Sequence, residues 1–130
     1  MNIHDLDTVL DLFASEVSPE VQVQTIRTLL FIASRGSCNQ KDIEKELNFT
    51  NASASRNVSY WTDRKADRKE GMQFVVRTED PYDRRYKILT LSRKGKEFME
   101  KVHANGKTER ETVASGRADS NGPAEKDVRN

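Results

Sequence analysis

Apolar residues recur at helical spacing over several stretches of this chain and alternate with polar ones over two others. In residues 3–14, Ile3, Leu6, Val9, Leu10 and Phe13 fall three, three, one and three positions apart, which makes one stripe on a helix. Asn2 suits the N-cap, with Asp5 in the first turn near the positive end of the helix dipole. A helix this short is marginal alone in water, so its stripe needs a surface to pack on, in its own domain or in a second copy.

Ser18-Pro19-Glu20 reads as a helix start, with cap, proline at N1 and an acid in the first turn. Val21, Ile26, Leu29, Leu30 and Ala33 then predict a central helix over 19–35, closed by Gly36 with Arg35 at the negative end. Asn39 can cap a helix over 40–47, with Asp42 at N3 and Ile43 and Leu47 turned inward. Thr50 caps the next helix, 50–62. If Val58 points inward, so do Ala54 and Trp61, and Ser53, Arg56 and Tyr60 are expected on the opposite face. The start of this helix, Thr-Asn-Ala-Ser-Ala-Ser-Arg-Asn, would bury little apolar area as a core element.

Residues 63–70 repeat themselves, Asp63-Arg64-Lys65-Ala66 and then Asp67-Arg68-Lys69-Glu70. This period stacks like charges at i,i+4, so either the helix runs on with a solvated end or a charged loop leads to Gly71. Residues 73–78 and 86–91 have strand composition, and a tip containing the turn signal Asp80-Pro81 joins them. Ser92 caps a last helix over 93–104 that carries Phe98 and Val102, with Gly106 near its end. Residues 106–130 hold no aromatic side chain and are expected to be a disordered tail behind one domain, 1–105. Helix, turn, helix and basic hairpin is the order of a winged helix-turn-helix: an α+β fold, mainly helical, with a two-stranded wing over 73–91.

Charge sharpens this picture. The net charge of +1 divides into −5 over residues 1–20, +6 over 21–105 and zero over 106–130. The acidic N-terminal arm is thus set against a basic centre, a modest pointer to nucleic acid. Cys38 is the only cysteine, so no internal disulfide can form. The longest apolar run, 29–33, is too short to cross a membrane, and no signal-peptide pattern opens the chain. A cytoplasmic protein is the simplest expectation.

Two blocks resemble the MarR family of winged-helix transcriptional regulators, over about residues 23–102. Residues 42–58, DIEKELNFTNASASRNV, are similar to its helix, turn and recognition helix. Residues 80–96, DPYDRRYKILTLSRKGK, are similar to its wing and the junction that follows, and DPYDRR is the more specific signal. The resemblance implies a homodimer that binds double-stranded DNA, with helix 50–62 in the major groove and the hairpin at the minor groove.

The chemistry of the residues agrees with that implication. Thr50 and Asn51 lie where a helix N-terminus offers free N–H groups to a phosphate. Arg56 is the first candidate for a base contact, followed by Ser53, Asn57 and Tyr60, because Arg and Asn side chains match guanine and adenine edges. Of Arg84 and Arg85, one is expected to hold the hairpin tip with Asp83 and the other to touch DNA. Lys87 is a candidate for the DNA backbone. The competing readings are a solvated helix face and a surface hairpin with a local ion pair. A winged helix that binds a protein partner through the acidic arm or the tail, as in a phage or mobile-element accessory protein, is the alternative function. Single-stranded nucleic acid is a weaker alternative, with Tyr60, Tyr82 and Tyr86 as its stacking residues. Cys38 has no adjacent base and reads as a small packing residue rather than a redox sensor. His4 and His103 have no partner at metal-ligand spacing. No nucleophile–base pair or phosphate loop is present, so no enzyme activity, metal or cofactor is expected.

Overall fold

The computed structural model describes residues 1–63 and 71–106. In these residues the order is α1 (Ile3–Glu16), α2 (Val23–Arg35), α3 (Gln40–Leu47), α4 (Asn51–Trp61), β1 (Val75–Glu79), β2 (Lys87–Leu91) and α5 (Arg93–Gly106). Local chemistry sets most of the boundaries. Asn2 and Asp5 form a reciprocal capping box on α1, and Asn39 and Asp42 form another on α3. Thr50 Oγ1 accepts the Ser53 N–H at 3.1 Å, and Ser92 Oγ accepts the Gly95 N–H at 3.0 Å. Gly36, at φ 80°, ends α2, and Asn48, at φ 59°, ends α3 in the left-handed conformation that asparagine tolerates.

Two expected boundaries move. The central helix starts at Val23 rather than residue 19. The N–H groups of Val17 and Ser18 both donate to Phe13 O and close α1. Ser18 then caps a turn, with its Oγ accepting from Glu20 N–H at 3.2 Å and its carbonyl from Val21 N–H at 3.2 Å. The first strand starts at Val75 rather than residue 73. Gln73 sits at φ 60°, outside strand geometry, and its N–H and that of Phe74 are bonded to the end of α4.

That bonding defines how the wing hangs on α4, which stops at Trp61. Met72 N–H donates to Tyr60 O at 3.0 Å, Phe74 N–H to Trp61 O at 2.9 Å and Gln73 N–H to Thr62 O at 2.8 Å. The chain therefore re-enters directly beside the point where it left. The repeat beyond Asp63 and the expected tail beyond Gly106 lie outside the described residues.

β1 and β2 pair antiparallel, with Val75 opposite Leu91 and Glu79 opposite Lys87. Cys38, just before α3, adds a bridge to Leu89 through N–H···O bonds of 3.2 and 2.7 Å. Under the sheet four buried rings run in sequence. Trp61 stacks on Phe74 at 5.4 Å, Phe74 meets Phe98 at 5.0 Å, and Phe98 meets the edge of Phe13 at 5.0 Å. This spine ties α4, the entry to the wing, α5 and α1 into one core, joined by Leu29, Ile32, Ile43 and Leu89. A Cβ on Gly95 would overlap the Phe74 carbonyl, so glycine is what lets α5 approach the wing's base.

Candidate nucleic-acid interface

α4 presents two unlike sides. Ala54, Val58 and Trp61 are buried, as their spacing predicts, but Ser53 and Asn57 are buried with them. This corrects the expectation that Ser53 lies opposite Val58, and it removes both side chains from the open face. The cause is α2, whose first turn lies against that flank of α4. Thr25 Oγ1 donates to Asn57 Oδ1 at 2.7 Å, and Ser53 Oγ donates to Gln24 Oε1 at 3.2 Å. Small polar residues that face a polar neighbour are indistinguishable in sequence from small polar residues that face water, which is why the pattern misled.

The exposed side of α4 consists of Asn51, Ala52, Ser55 and Arg56. Arg56 makes no ion pair or hydrogen bond among the described residues. Asn51 is not free: its Nδ2 donates to Glu44 Oε2 at 3.1 Å, and Gln40 donates to the same oxygen at 3.2 Å. These two bonds, Gln40 first, hold the Glu44 carboxyl below its usual range. They also leave the Asn51 Oδ1 as its outward acceptor. Thr50 spends its hydroxyl oxygen on the cap. Tyr60 is half-buried, edge-on to Trp61 at 5.1 Å, and desolvation pushes its phenol pKa up. It belongs to the joint between α4 and the wing more than to the open face.

The wing tip is a set of short local bonds. Asp80 Oδ1 accepts the Tyr82 N–H at 2.8 Å. Asp83 takes Arg85 bidentately, from Nε at 3.0 Å and Nη2 at 2.8 Å, and also accepts the Arg85 backbone N–H at 3.1 Å. The Arg85 side chain, then its backbone N–H, holds the Asp83 carboxyl below the usual range. Sequence left open which arginine pairs with Asp83, and it is Arg85. Arg84 has its Nε 3.9 Å from Glu79 and is 87% exposed. Lys87, also near Glu79 at 3.7 Å, is exposed on β2. Exposed pairs of this kind contribute little to stability, so the tip is oriented rather than anchored. Tyr82, expected from sequence only as a stacking residue for single strands, is 96% exposed at the tip.

The wing is fastened at its base on two sides. Arg77 Nη2 donates to Thr62 Oγ1 at 3.2 Å, from β1 to the end of α4, and the Cys38–Leu89 bridge holds β2 to the start of α3. Between α3, α4 and the wing lies a cleft of about 230 Å³ to which Lys41, Asn51, Arg77, Arg85 and Lys87 all contribute. The structure thus brings Asn51, Arg85 and Lys87, expected separately from sequence, to one concave surface. Lys41 and Arg77 join them there without having been singled out, because scattered lysines and arginines carry no distinguishing sequence signal. Cys38 is buried, and burial, followed by the Asp42 charge, pushes its thiol pKa up to about 11, the reverse of what a reactive thiolate needs. Among the described residues no group of three or more His, Cys, Asp and Glu side chains is placed to hold a metal ion. No described helix is long and apolar enough to cross a membrane.

A helix-turn-helix whose second helix is followed by a two-stranded hairpin and then a closing helix is a winged helix. Solved structures share this fold, MarR from E. coli among them. A cysteine-to-serine mutant of MarR from E. coli, complexed with operator DNA, superposes with a TM-score of 0.56 at 17% identity, over 77% of this chain and 66% of that one. The transcriptional regulator Tm0710 from Thermotoga maritima gives 0.61 at 22% identity, over 85% and 72%. RV1404 from Mycobacterium tuberculosis gives 0.63 at 18% identity, over 87% and 71%. No family model matches the sequence, and no curated protein matches it. The likeness is one of fold, and the fold is the one the sequence blocks resemble.

Proposed function

We propose that this chain is a DNA-binding transcriptional regulator that acts as a homodimer, with α4 in the major groove and the wing at the minor groove. The observation that carries the reading is the open side of α4, where small side chains flank Arg56, whose guanidinium is unpaired among the described residues, beside a basic wing. Ala52 and Ser55 let the helix approach base edges closely, and Arg56 has the two-pronged geometry that matches guanine. The N-terminus of α4 offers backbone N–H groups to a phosphate. At the wing, Asp83 fixes the Arg85 guanidinium while three of its N–H groups still point to solvent, so it enters a narrow groove pre-oriented. Arg84 and Lys87 supply flanking positive charge. Ser53 and Asn57 take no part in contact. The solved complex of E. coli MarR with operator DNA supports the reading by likeness of fold.

The dimer rests on the opposite end of the molecule. Leu6, Leu10 and Leu30 are 48%, 44% and 38% exposed around an apolar hollow of about 560 Å³ between α1, α2 and α5. A second copy packed there would cover them and give a two-fold molecule with a palindromic target.

Binding to random and selected duplexes over a salt series tests the reading. A DNA reader shows a steep negative dependence of log affinity on log salt. Arg56→Ala removes sequence preference, while Arg84→Ala and Arg85→Ala weaken binding to every duplex. Absence of salt-dependent duplex binding, with a protein captured instead, would favour the interaction module. Light scattering at twice 14.9 kDa supports the dimer, and a strict monomer removes the palindrome.

A further inference from the structure

The α2–α4 contact contains a buried set of polar side chains beside the apolar Ala54, Val58 and Trp61. Thr25, Asn57 and Ser53 are 6%, 7% and 9% exposed, and their side chains form one connected set. Thr25 Oγ1 donates to Asn57 Oδ1 at 2.7 Å. Asn57 Nδ2 donates to Ser53 O at 2.9 Å and approaches Ser53 Oγ at 3.5 Å. Ser53 Oγ donates to Gln24 Oε1 at 3.2 Å. The indole N–H of the fully buried Trp61 donates to the Thr25 carbonyl at 2.7 Å. Three successive inward positions of α4 are thus bonded to the first turn of α2.

An apolar contact of the same area would hold α4 against α2 but tolerate a small roll about its axis, because dispersion and burial have no direction. A bonded contact does not, since a roll separates buried donors from buried acceptors that water cannot reach. Arg56 is the immediate neighbour of Asn57 in sequence, about 100° round the helix from it, and is exposed. At about 6 Å from the helix axis each 10° of roll moves an atom by about 1 Å, and the guanidinium lies farther out. A base-edge contact has to be held to about half an ångström.

We propose that Thr25 and Asn57 are positioning residues for base readout: their buried bond fixes the roll of α4 and thereby the direction in which Arg56 leaves the helix. This rests on the DNA-binding reading above. It assigns a role in specificity to side chains that touch no DNA, one of them on a helix outside the helix-turn-helix.

The test uses the full chain with three substitutions. Thr25→Val keeps the shape and removes the hydroxyl, Asn57→Leu replaces the amide by an apolar group, and Thr25→Ser keeps the hydroxyl. Affinity is measured for a duplex selected by the wild type from a random pool and for random duplex. For Thr25→Val and Asn57→Leu, the ratio of selected to random affinity falls at least tenfold while random-duplex affinity and the salt slope stay within twofold. Thr25→Ser keeps the ratio. Independently of DNA, α4 amides exchange hydrogen at least tenfold faster in Thr25→Val, with α1 and α5 amides unchanged. Should Asn57→Leu fail to fold, Thr25→Val and Thr25→Ser decide between them. An unchanged ratio in Thr25→Val, equal losses on both duplexes, or unchanged α4 exchange overturns the proposal. A wild type that shows no duplex preference, with α4 exchange still raised in Thr25→Val, overturns the DNA reading and leaves the bond as a clamp on the helix alone.

Discussion

The aromatic spine and the wing tip are held by opposite kinds of force. Along Trp61, Phe74, Phe98 and Phe13 the side chains are 0–3% exposed and in ring contact, so the energy is burial and dispersion. At the tip, Arg84 and Arg85 are 87% and 81% exposed, and among the described residues their contacts are exposed ion pairs, turn hydrogen bonds and one stacking of Arg85 over the Tyr86 ring. The spine decides where α4 and the wing stand relative to each other. The tip's exposed pairs add almost nothing to stability. Stability and binding should therefore be separable by mutation, and four measurements press on that separation.

The largest effect is expected in the spine. Phe98→Ala removes the ring between Phe74 and Phe13 and should cost about 3–5 kcal/mol in urea unfolding. For a domain of marginal stability that is a large share of the total. If Phe98→Ala unfolds at the wild-type midpoint, the spine is not what holds the joint.

Cys38 belongs with the spine and tests the burial at its edge. Its thiol pKa is raised to about 11 from 9.0, so the thiol stays neutral until pH approaches 11. At pH 8 the thiolate fraction is lower by about a hundredfold than for a thiol at the ordinary value, because only the thiolate reacts. Alkylation by iodoacetamide should slow by at least that factor, and mild oxidants should leave duplex binding unchanged. Fast alkylation of the folded chain would show that this edge opens to solvent.

Next comes the open face of α4. Arg56→Ala should shift the unfolding free energy by less than about 0.5 kcal/mol. The same change should cost about 1–3 kcal/mol of discrimination between the preferred duplex and one altered at the contacted base. Loss of stability together with discrimination would mean that the two regions are not independent.

The smallest effect is expected at Asp83. Asp83→Ala leaves the melting temperature nearly unchanged and weakens duplex binding by freeing Arg85 from its fixed direction. The pH dependence has a definite sign. The Asp83 carboxyl titrates lower in the folded protein than in the unfolded chain, so its pairing is fully present above the ordinary carboxylate range. The pairing is lost as pH falls through the depressed folded value. The Arg85 Nε–H resonance should therefore stay put from pH 7 to 5 and move only at more acidic pH. A shift near pH 6 would mean that another group controls the tip.

Much of this was readable from sequence where the information is local. Asn2 with Asp5, Asn39 with Asp42, Thr50 and Ser92 mark helix starts because a cap bonds within three residues of itself. Ser18-Pro19-Glu20 has the same letters as a cap and makes a turn instead, since the bonds closing α1 come first. The surroundings of Ser53 and Asn57 are not legible in sequence because their partners, Gln24 and Thr25, are 29 and 32 positions away. The choice between Arg84 and Arg85 depended on the backbone turn at Asp83, which composition does not specify.

By itself the sequence determined the kinds of element, their order, the caps and the basic hairpin, because periodicity and capping act over one or two turns of chain. Once Val58 is taken as inward, helical spacing also puts Arg56 on the open side of α4. Only the tertiary structure decided how wide the closed side of α4 is, which arginine Asp83 holds, and how the wing is fixed to α4 across residues 60–62 and 72–74. Those are questions of which distant groups meet in a medium that excludes water, where an unmatched donor or acceptor is costly and the arrangement that satisfies all of them prevails.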